Sequence, residues 1–268
     1  MSAKAAAERP YRVPAVNRAM AVLRALEQRG PLTLGELITQ TGLNRSTCFY
    51  LLRTLCEEGV IERDADGHAF RLGIGLVELG AAASEQLTYL GVAKRCLAEL
   101  LEEMNATFVF YRRVSEEHIV LVDKLERPSR VRITVPLGAQ LAIQGGSFGR
   151  CFLAHDPPEL VDRLLASGLP ARTARSVTDP DAFRAELPEV RRRGWAVDHE
   201  GFALGISTIA APLFGPGGEI LLALAAVTIT SLLDEATTKD WGARLRAACD
   251  RIAGTLAQAS PPWEGRLT

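Results

Sequence analysis

Between residues 33 and 72 the chain carries four local signals in a fixed order, and few folds accept that order. Thr33 with Glu36 three residues on is a capping box, so a short helix with apolar Leu34, Leu37 and Ile38 should start there. Gly42 follows at the place where a tight turn between helices needs a left-handed residue. Asn44 is a strong N-cap for a next helix, Arg45 to Glu58, whose apolar stripe is Cys48, Leu51, Leu52 and Leu55. After Gly59, Val60–Arg63 and His68–Leu72 read as two strands around Asp64-Ala65-Asp66-Gly67, an Asp-Gly hairpin. Upstream, Ala15–Leu26 places Val16, Ala19, Met20, Leu23 and Leu26 at helical spacing, and Gly30-Pro31 ends that helix.

Helix, helix, glycine turn, capped helix, hairpin is a winged helix-turn-helix. In that unit the second helix of the pair presents its N-terminal side chains to the DNA major groove. Here those are Arg45, Ser46, Thr47, Phe49, Tyr50 and Arg53, with Arg18 of the first helix as a further candidate contact. Arginine can pair with guanine, hydroxyls can bond phosphates, and aromatic edges can meet thymine methyls. A net charge of −1 would argue against a nucleic-acid binder, but the average hides an asymmetry. Residues 1–56 hold eight basic and three acidic groups, while the other 212 hold 23 and 29. Positive charge is therefore gathered where phosphate would be met.

A length of 268 residues suits two domains better than one. The expected division is a tail over 1–12, a DNA-binding domain over 13–73, a linker helix over 74–88, a larger domain over 89–260 and a tail over 261–268. The larger domain reads as α+β: an antiparallel sheet with flanking helices rather than alternating βαβ units. Its strands are expected at 107–112, 118–123, 131–135, 140–143, 195–198, 207–213 and 219–229. Its helices are expected at 146–155, 157–166, 180–193 and 233–257, the last capped by Asp234. The longest apolar run, Ile220–Val227, is far short of a membrane span. Five cysteines without a CxxC pair fit reduced thiols, and four histidines show no metal-ligand spacing. No metal or cofactor is expected, and the expected compartment is the cytoplasm.

The chain resembles the IclR family of bacterial regulators. The segments that carry the resemblance are Val16–Leu23, Leu43–Thr47 with Leu51–Leu55, Phe70–Gly73, Arg192–Asp198 and Gly205–Pro212. The resemblance implies a winged helix-turn-helix, a linker helix, a GAF-like effector domain, and homodimers that often pair into homotetramers on operator DNA. Three departures stand out: Phe49-Tyr50 replaces the usual His-Arg, Ala142 and Gln144 replace a proline and a histidine, and Thr208 replaces a cysteine.

Gly145-Gly146-Ser147-Phe148-Gly149-Arg150 is a glycine-rich loop opening a helix, whose exposed N–H groups suit a carboxylate. From the resemblance Ser147, Phe148, Asp198, Thr208, Ile133, Ala225 and Val227 line the effector pocket. Phe110, Ile143 and Phe202 would add apolar walls, so a hydrophobic or aromatic small acid is the expected effector. The alternative is a serine hydrolase, because Gly145–Gly149 also matches GxSxG and Asp198-His199 follow it. That motif needs a parallel α/β sheet, and adjacent strand residues would face opposite ways.

Overall fold

The computed structural model describes residues 13–64, 66–85, 87–126 and 136–258, and divides into two units, Met1–Thr88 and Tyr89–Thr268.

In the first unit, helix α1 (Pro14–Arg29) starts with proline at its first position, where a missing N–H costs nothing. Strand β1 (Leu32–Thr33) leads into α2 (Leu34–Thr41), and the capping box is formed: the Thr33 N–H donates to Glu36 Oε2 at 2.7 Å and the Glu36 N–H to Thr33 Oγ1 at 3.4 Å. Gly42, at φ 67°, closes α2 through its N–H to the Ile38 carbonyl. Asn44 then caps α3 (Arg45–Glu57), its Oδ1 accepting from the Thr47 N–H at 2.8 Å. Strands β2 (Ile61–Arg63) and β3 (Ala69–Leu72) make the hairpin, and β1 adds to β3, giving the order β1-β3-β2. The Asp64 carboxylate ties the turn by accepting from the His68 and Ala69 N–H groups.

The core of this unit is Val22, Leu26, Leu32, Leu37, Cys48, Leu52, Ile61 and Phe70. Of the apolar residues expected along α1, Leu26 is core and Leu23 packs against it, whereas Val16 and Met20 are exposed; Val22 completes the buried side. Helix α4 (Ile74–Glu85) follows β3 directly and is polar on no complete face; Ile74, Val77 and Leu79 are exposed. Its start is set against the turn after α3. The Gly75 N–H donates to the Gly59 carbonyl at 3.0 Å, and a Cβ on Gly73 or Gly75 would lie 2.3 or 2.8 Å from that oxygen.

The second unit opens with α5 (Thr88–Glu103) and continues through β4 (Thr107–Arg113), β5 (His118–Leu125), β6 (Gln140–Ala142), α6 (Gly146–Leu153), α7 (Pro158–Ala166), α8 (Pro180–Arg193), β7 (Ala196–Ala203), β8 (Ile206–Phe214), β9 (Ile220–Ile229) and α9 (Glu235–Gln258). The strands form one sheet in the order β6-β5-β4-β9-β8-β7, antiparallel at every junction. The α+β expectation is met. Asp234 caps α9 through its carboxylate to the Thr237 N–H at 2.7 Å. The expected strand at 131–135 lies outside the described residues. The central strands are apolar on both faces because both are covered. Val109, Tyr111, Ala210, Ala223, Ala225 and Val227 join the cluster under α6, and the alternating set packs on the opposite face, where α9 crosses β8.

Candidate DNA-reading face and ligand site

On α3, Cys48 and Leu52 are buried while Arg45, Ser46, Phe49, Tyr50 and Arg53 are exposed and Thr47 is half-buried. The helix fixes this division, since residues four apart share a stripe. Ser46 donates to Asn44 Oδ1 at 2.9 Å, so its hydroxyl is partly committed to the cap. Arg53 Nε donates to Glu57 Oε1 at 2.8 Å; Arg45 has no ion pair among the described residues. The Phe49 and Tyr50 rings meet edge to face, centroids 5.7 Å apart. Arg18 is exposed on α1. The hairpin supplies cations that sequence reasoning missed. Arg63 donates to the Gly67 carbonyl and stands over the Phe70 ring, and Arg71 pairs with Glu62 at 3.3 Å. A cleft between α3 and the hairpin is lined by Phe49, Arg53, Cys56, Arg63, His68 and Phe70.

In the second unit, α6 brings several expected pocket residues onto one face of the sheet. Ser147 and Thr208, both buried, share a hydrogen bond of 2.6 Å. Register places Thr208 opposite both Asp198 on β7 and Val227 on β9, with Ala225 one pleat away. Phe148 and Ile143 belong to the same cluster, and Phe148 meets Phe202 edge to face at 5.5 Å.

Phe110 does not join them. It pairs with Leu224 on the far side of the sheet, and the ring that reaches Phe148 is Tyr111, at 4.4 Å. Burial pushes the Tyr111 hydroxyl up to about 12, against the nearby Arg172. Ile133 lies outside the described residues. Gln144 is a tether: its Nε2 donates to the Leu164 carbonyl at 3.1 Å.

Two arginines went unread in the sequence. Arg150, 4% exposed, donates to Glu186 at 2.7 Å and to the Gly146 carbonyl at 3.0 Å, and stands 3.6 Å from Asp198. Arg172 lies over the Phe202 ring, 4.5 Å from its centroid. Its loop is fastened to a bulge in β7, where Thr173 and Ser176 donate to the Glu200 and Gly201 carbonyls at 2.7 Å each. Glu200 there has φ 60°, a conformation that costs a non-glycine residue on the order of 1 kcal/mol. These groups border a narrow cleft, with a cavity volume of about 20 Å³, walled by Gln144, Arg150, Arg172, Phe183, Asp198 and Phe202.

The hydrolase alternative loses its support. Ser147 bonds a threonine, His199 bonds Ser207 through Nδ1 at 3.3 Å, and the sheet is antiparallel, where a nucleophile elbow needs a parallel one.

Comparison with known proteins agrees with this architecture. Residues 15–65 match the IclR helix-turn-helix domain and residues 82–254 the C-terminal domain of bacterial IclR transcriptional regulators. The transcriptional repressor IclR of Escherichia coli is 26% identical over 253 residues, covering 91% of this chain and 92% of that protein. The crystal structure of an IclR transcriptional regulator from Alicyclobacillus acidocaldarius superposes with a TM-score of 0.83 at 31% identity, over 92% of this chain and all of that one. An IclR homolog from Microbacterium hydrocarbonoxydans, crystallised with 4-hydroxybenzoate, shares the fold at 24% identity and a TM-score of 0.79, over 91% of this chain and all of that one.

Proposed function

Since the chain belongs to the IclR family and is a DNA-binding transcriptional regulator, we propose that the α3 face from Arg45 to Arg53 reads its operator and that an aromatic or otherwise hydrophobic carboxylic acid modulates that binding. The observation that carries the DNA assignment is the division of α3. One stripe of this Asn44-capped helix is core, and the other leaves arginine, hydroxyl and aromatic groups in solvent beside a hairpin bearing Arg63 and Arg71. Arg45, Ser46, Thr47, Phe49, Tyr50 and Arg53 are the proposed contacts, with Arg18 on a flanking phosphate. We take residues 13–73 as the DNA-binding domain, 74–88 as a linker and 89–260 as the effector domain.

Two features favour an aromatic acid. The stack of Tyr111, Phe148 and Phe202 gives an aryl ring partners of its own kind. Arg172 and the N–H groups at the start of α6 give a carboxylate positive partners. The 4-hydroxybenzoate complex of the Microbacterium homolog supports the same class. Ser147, Asp198, Thr208, Ile143, Ala225 and Val227 complete the proposed walls, with Ile133 as a further candidate. In this reading the protein works in the cytoplasm, as a homodimer on a two-fold site and as a homotetramer when dimers pair. Exposed Val16 and Met20 on α1, and Ile74, Val77 and Leu79 on α4, supply apolar surface for the two-fold contact. No described helix is long and apolar enough to cross a membrane.

Fluorescence anisotropy with a duplex from the chain's own upstream region is the test. Arg45→Ala should weaken binding about 5- to 150-fold at one base position. Wild-type affinity in that variant would reject the α3 assignment. Calorimetry with benzoate, 4-hydroxybenzoate, glyoxylate and a hexose tests the effector class, and heat from only the last two would reject it.

A further inference from the structure

The two central positions of the exposed α3 stripe, Phe49 and Tyr50, carry no charge and no amide. They are 48% and 64% exposed, and their rings meet edge to face. Such aromatic area is costly to leave in water. Their surroundings do not suit an apolar protein partner: Arg45 stands one turn before Phe49 and Arg53 one turn after. Aromatic area framed by guanidinium groups suits the floor of a major groove, where phosphates line the rims and one base alone offers an apolar group, the thymine 5-methyl.

We propose that Phe49 and Tyr50 read thymine methyl groups, so that the operator is specified at these positions by shape and burial rather than by hydrogen bonds. This rests on the reading that α3 enters the major groove. Among the described residues Arg45 has no ion pair, whereas Arg53 is held by Glu57. Arg45 and Phe49 lie four residues apart, a rise of about 6 Å, and stacked base pairs are about 3.4 Å apart. A guanine met by Arg45 and a thymine met by Phe49 should therefore stand about two base pairs apart. Cytosine methylated at C5 carries the same methyl at the same place in the groove, so it should substitute for thymine in this contact.

The test uses the full chain and a duplex that it selects from a random pool. Its affinity is then measured by anisotropy on versions of that duplex in which single thymines are replaced by deoxyuridine, which lacks only the methyl. Burying one methyl is expected to be worth about fourfold in affinity, and two about fifteenfold. One or two positions per half-site should show that loss, and replacing those thymines by 5-methylcytosine should recover more binding than replacing them by cytosine. Phe49→Ala and Tyr50→Ala should bind thymine and deoxyuridine duplexes alike. Both side chains are exposed, so these variants keep the fold, which circular dichroism checks. Tyr50→Phe should retain the discrimination.

Equal wild-type affinity for the thymine and deoxyuridine duplexes at every position would overturn the proposal. A uniform loss in Tyr50→Phe, with no change in the thymine-to-deoxyuridine ratio, would overturn the part assigned to Tyr50, placing its hydroxyl on a phosphate. If no duplex is selected, or if Arg45→Ala binds the selected duplex as wild type does, it is the placement of α3 in the groove that fails; equal thymine and deoxyuridine affinities with an Arg45→Ala defect defeat the methyl reading alone.

Discussion

Replacing Ser147 by alanine removes one atom from a buried pair and leaves the Thr208 hydroxyl, 2% exposed, with no other partner in the described residues. The cost is set less by the bond lost than by the group orphaned, about 1–3 kcal/mol for a buried hydroxyl. Thr208→Val, which keeps the shape of the side chain, orphans Ser147 instead and should cost a similar amount. In Ser147→Ala/Thr208→Val no polar group is left unpaired, so the double variant should be little worse than either single one. The coupling in that cycle should therefore be on the order of 1–3 kcal/mol. Thermal unfolding followed by tryptophan fluorescence isolates the event. Trp195 and Trp241 lie in the second unit and residues 1–88 contain no tryptophan, so the transition reports on the second unit. For a unit of this size each kcal/mol moves the midpoint by about 2–4 °C. Single variants should fall by about 2–12 °C, and the double by far less than their sum. Strict additivity, or singles within about 0.5 kcal/mol of wild type, would refute the orphaning argument.

Gly149→Ala should be far more damaging, because a Cβ there would sit 1.7 Å from the Ile143 carbonyl oxygen and drive α6 off the sheet. A loss on the order of 3 kcal/mol is expected, read in the same fluorescence transition. Asn44→Ala should lower the stability of the first unit by about 1 kcal/mol through loss of the α3 cap, and a far-UV dichroism midpoint unchanged within 1 °C would contradict the capping geometry. His155 supplies a pH signature. Burial first, and then Arg191, hold its imidazole below the ordinary value of 6.5, and its buried Nε2 has no hydrogen-bond partner among the described residues. The unfolded chain therefore takes up the proton first, so stability should drop as pH falls below about 6.5 and level off beneath the depressed value. His155→Phe should flatten that dependence between pH 7 and 5 while keeping the edge contact with Phe214.

What could be read from the sequence was what rests on local chemistry. The Thr33–Glu36 box, the Asn44 and Asp234 caps and the Asp64–Gly67 turn each state their own structure within a few residues, and the elements they bound appear where expected. Parity and loops were harder. Thr107-Phe108-Val109-Phe110-Tyr111 is apolar on both faces, so alternation could not tell Phe110 from Tyr111; only the register with Leu224 and Ala223 does. On α1 the residues Val16 and Met20 form an apolar stripe that the helix-turn-helix core does not cover, and periodicity alone cannot say which of two stripes turns inward. Arg172 sits in a loop without period, and its place over Phe202 follows from ties to the β7 bulge that no short window contains.

The seating of Gly73 and Gly75 on the Gly59 carbonyl means that α4 leaves the DNA-binding unit through main-chain contact, with no side chain between. A joint of that kind has no rotamers to absorb a torque. Turning of α4 at its first residues would press directly on the Gly59 turn that ends α3.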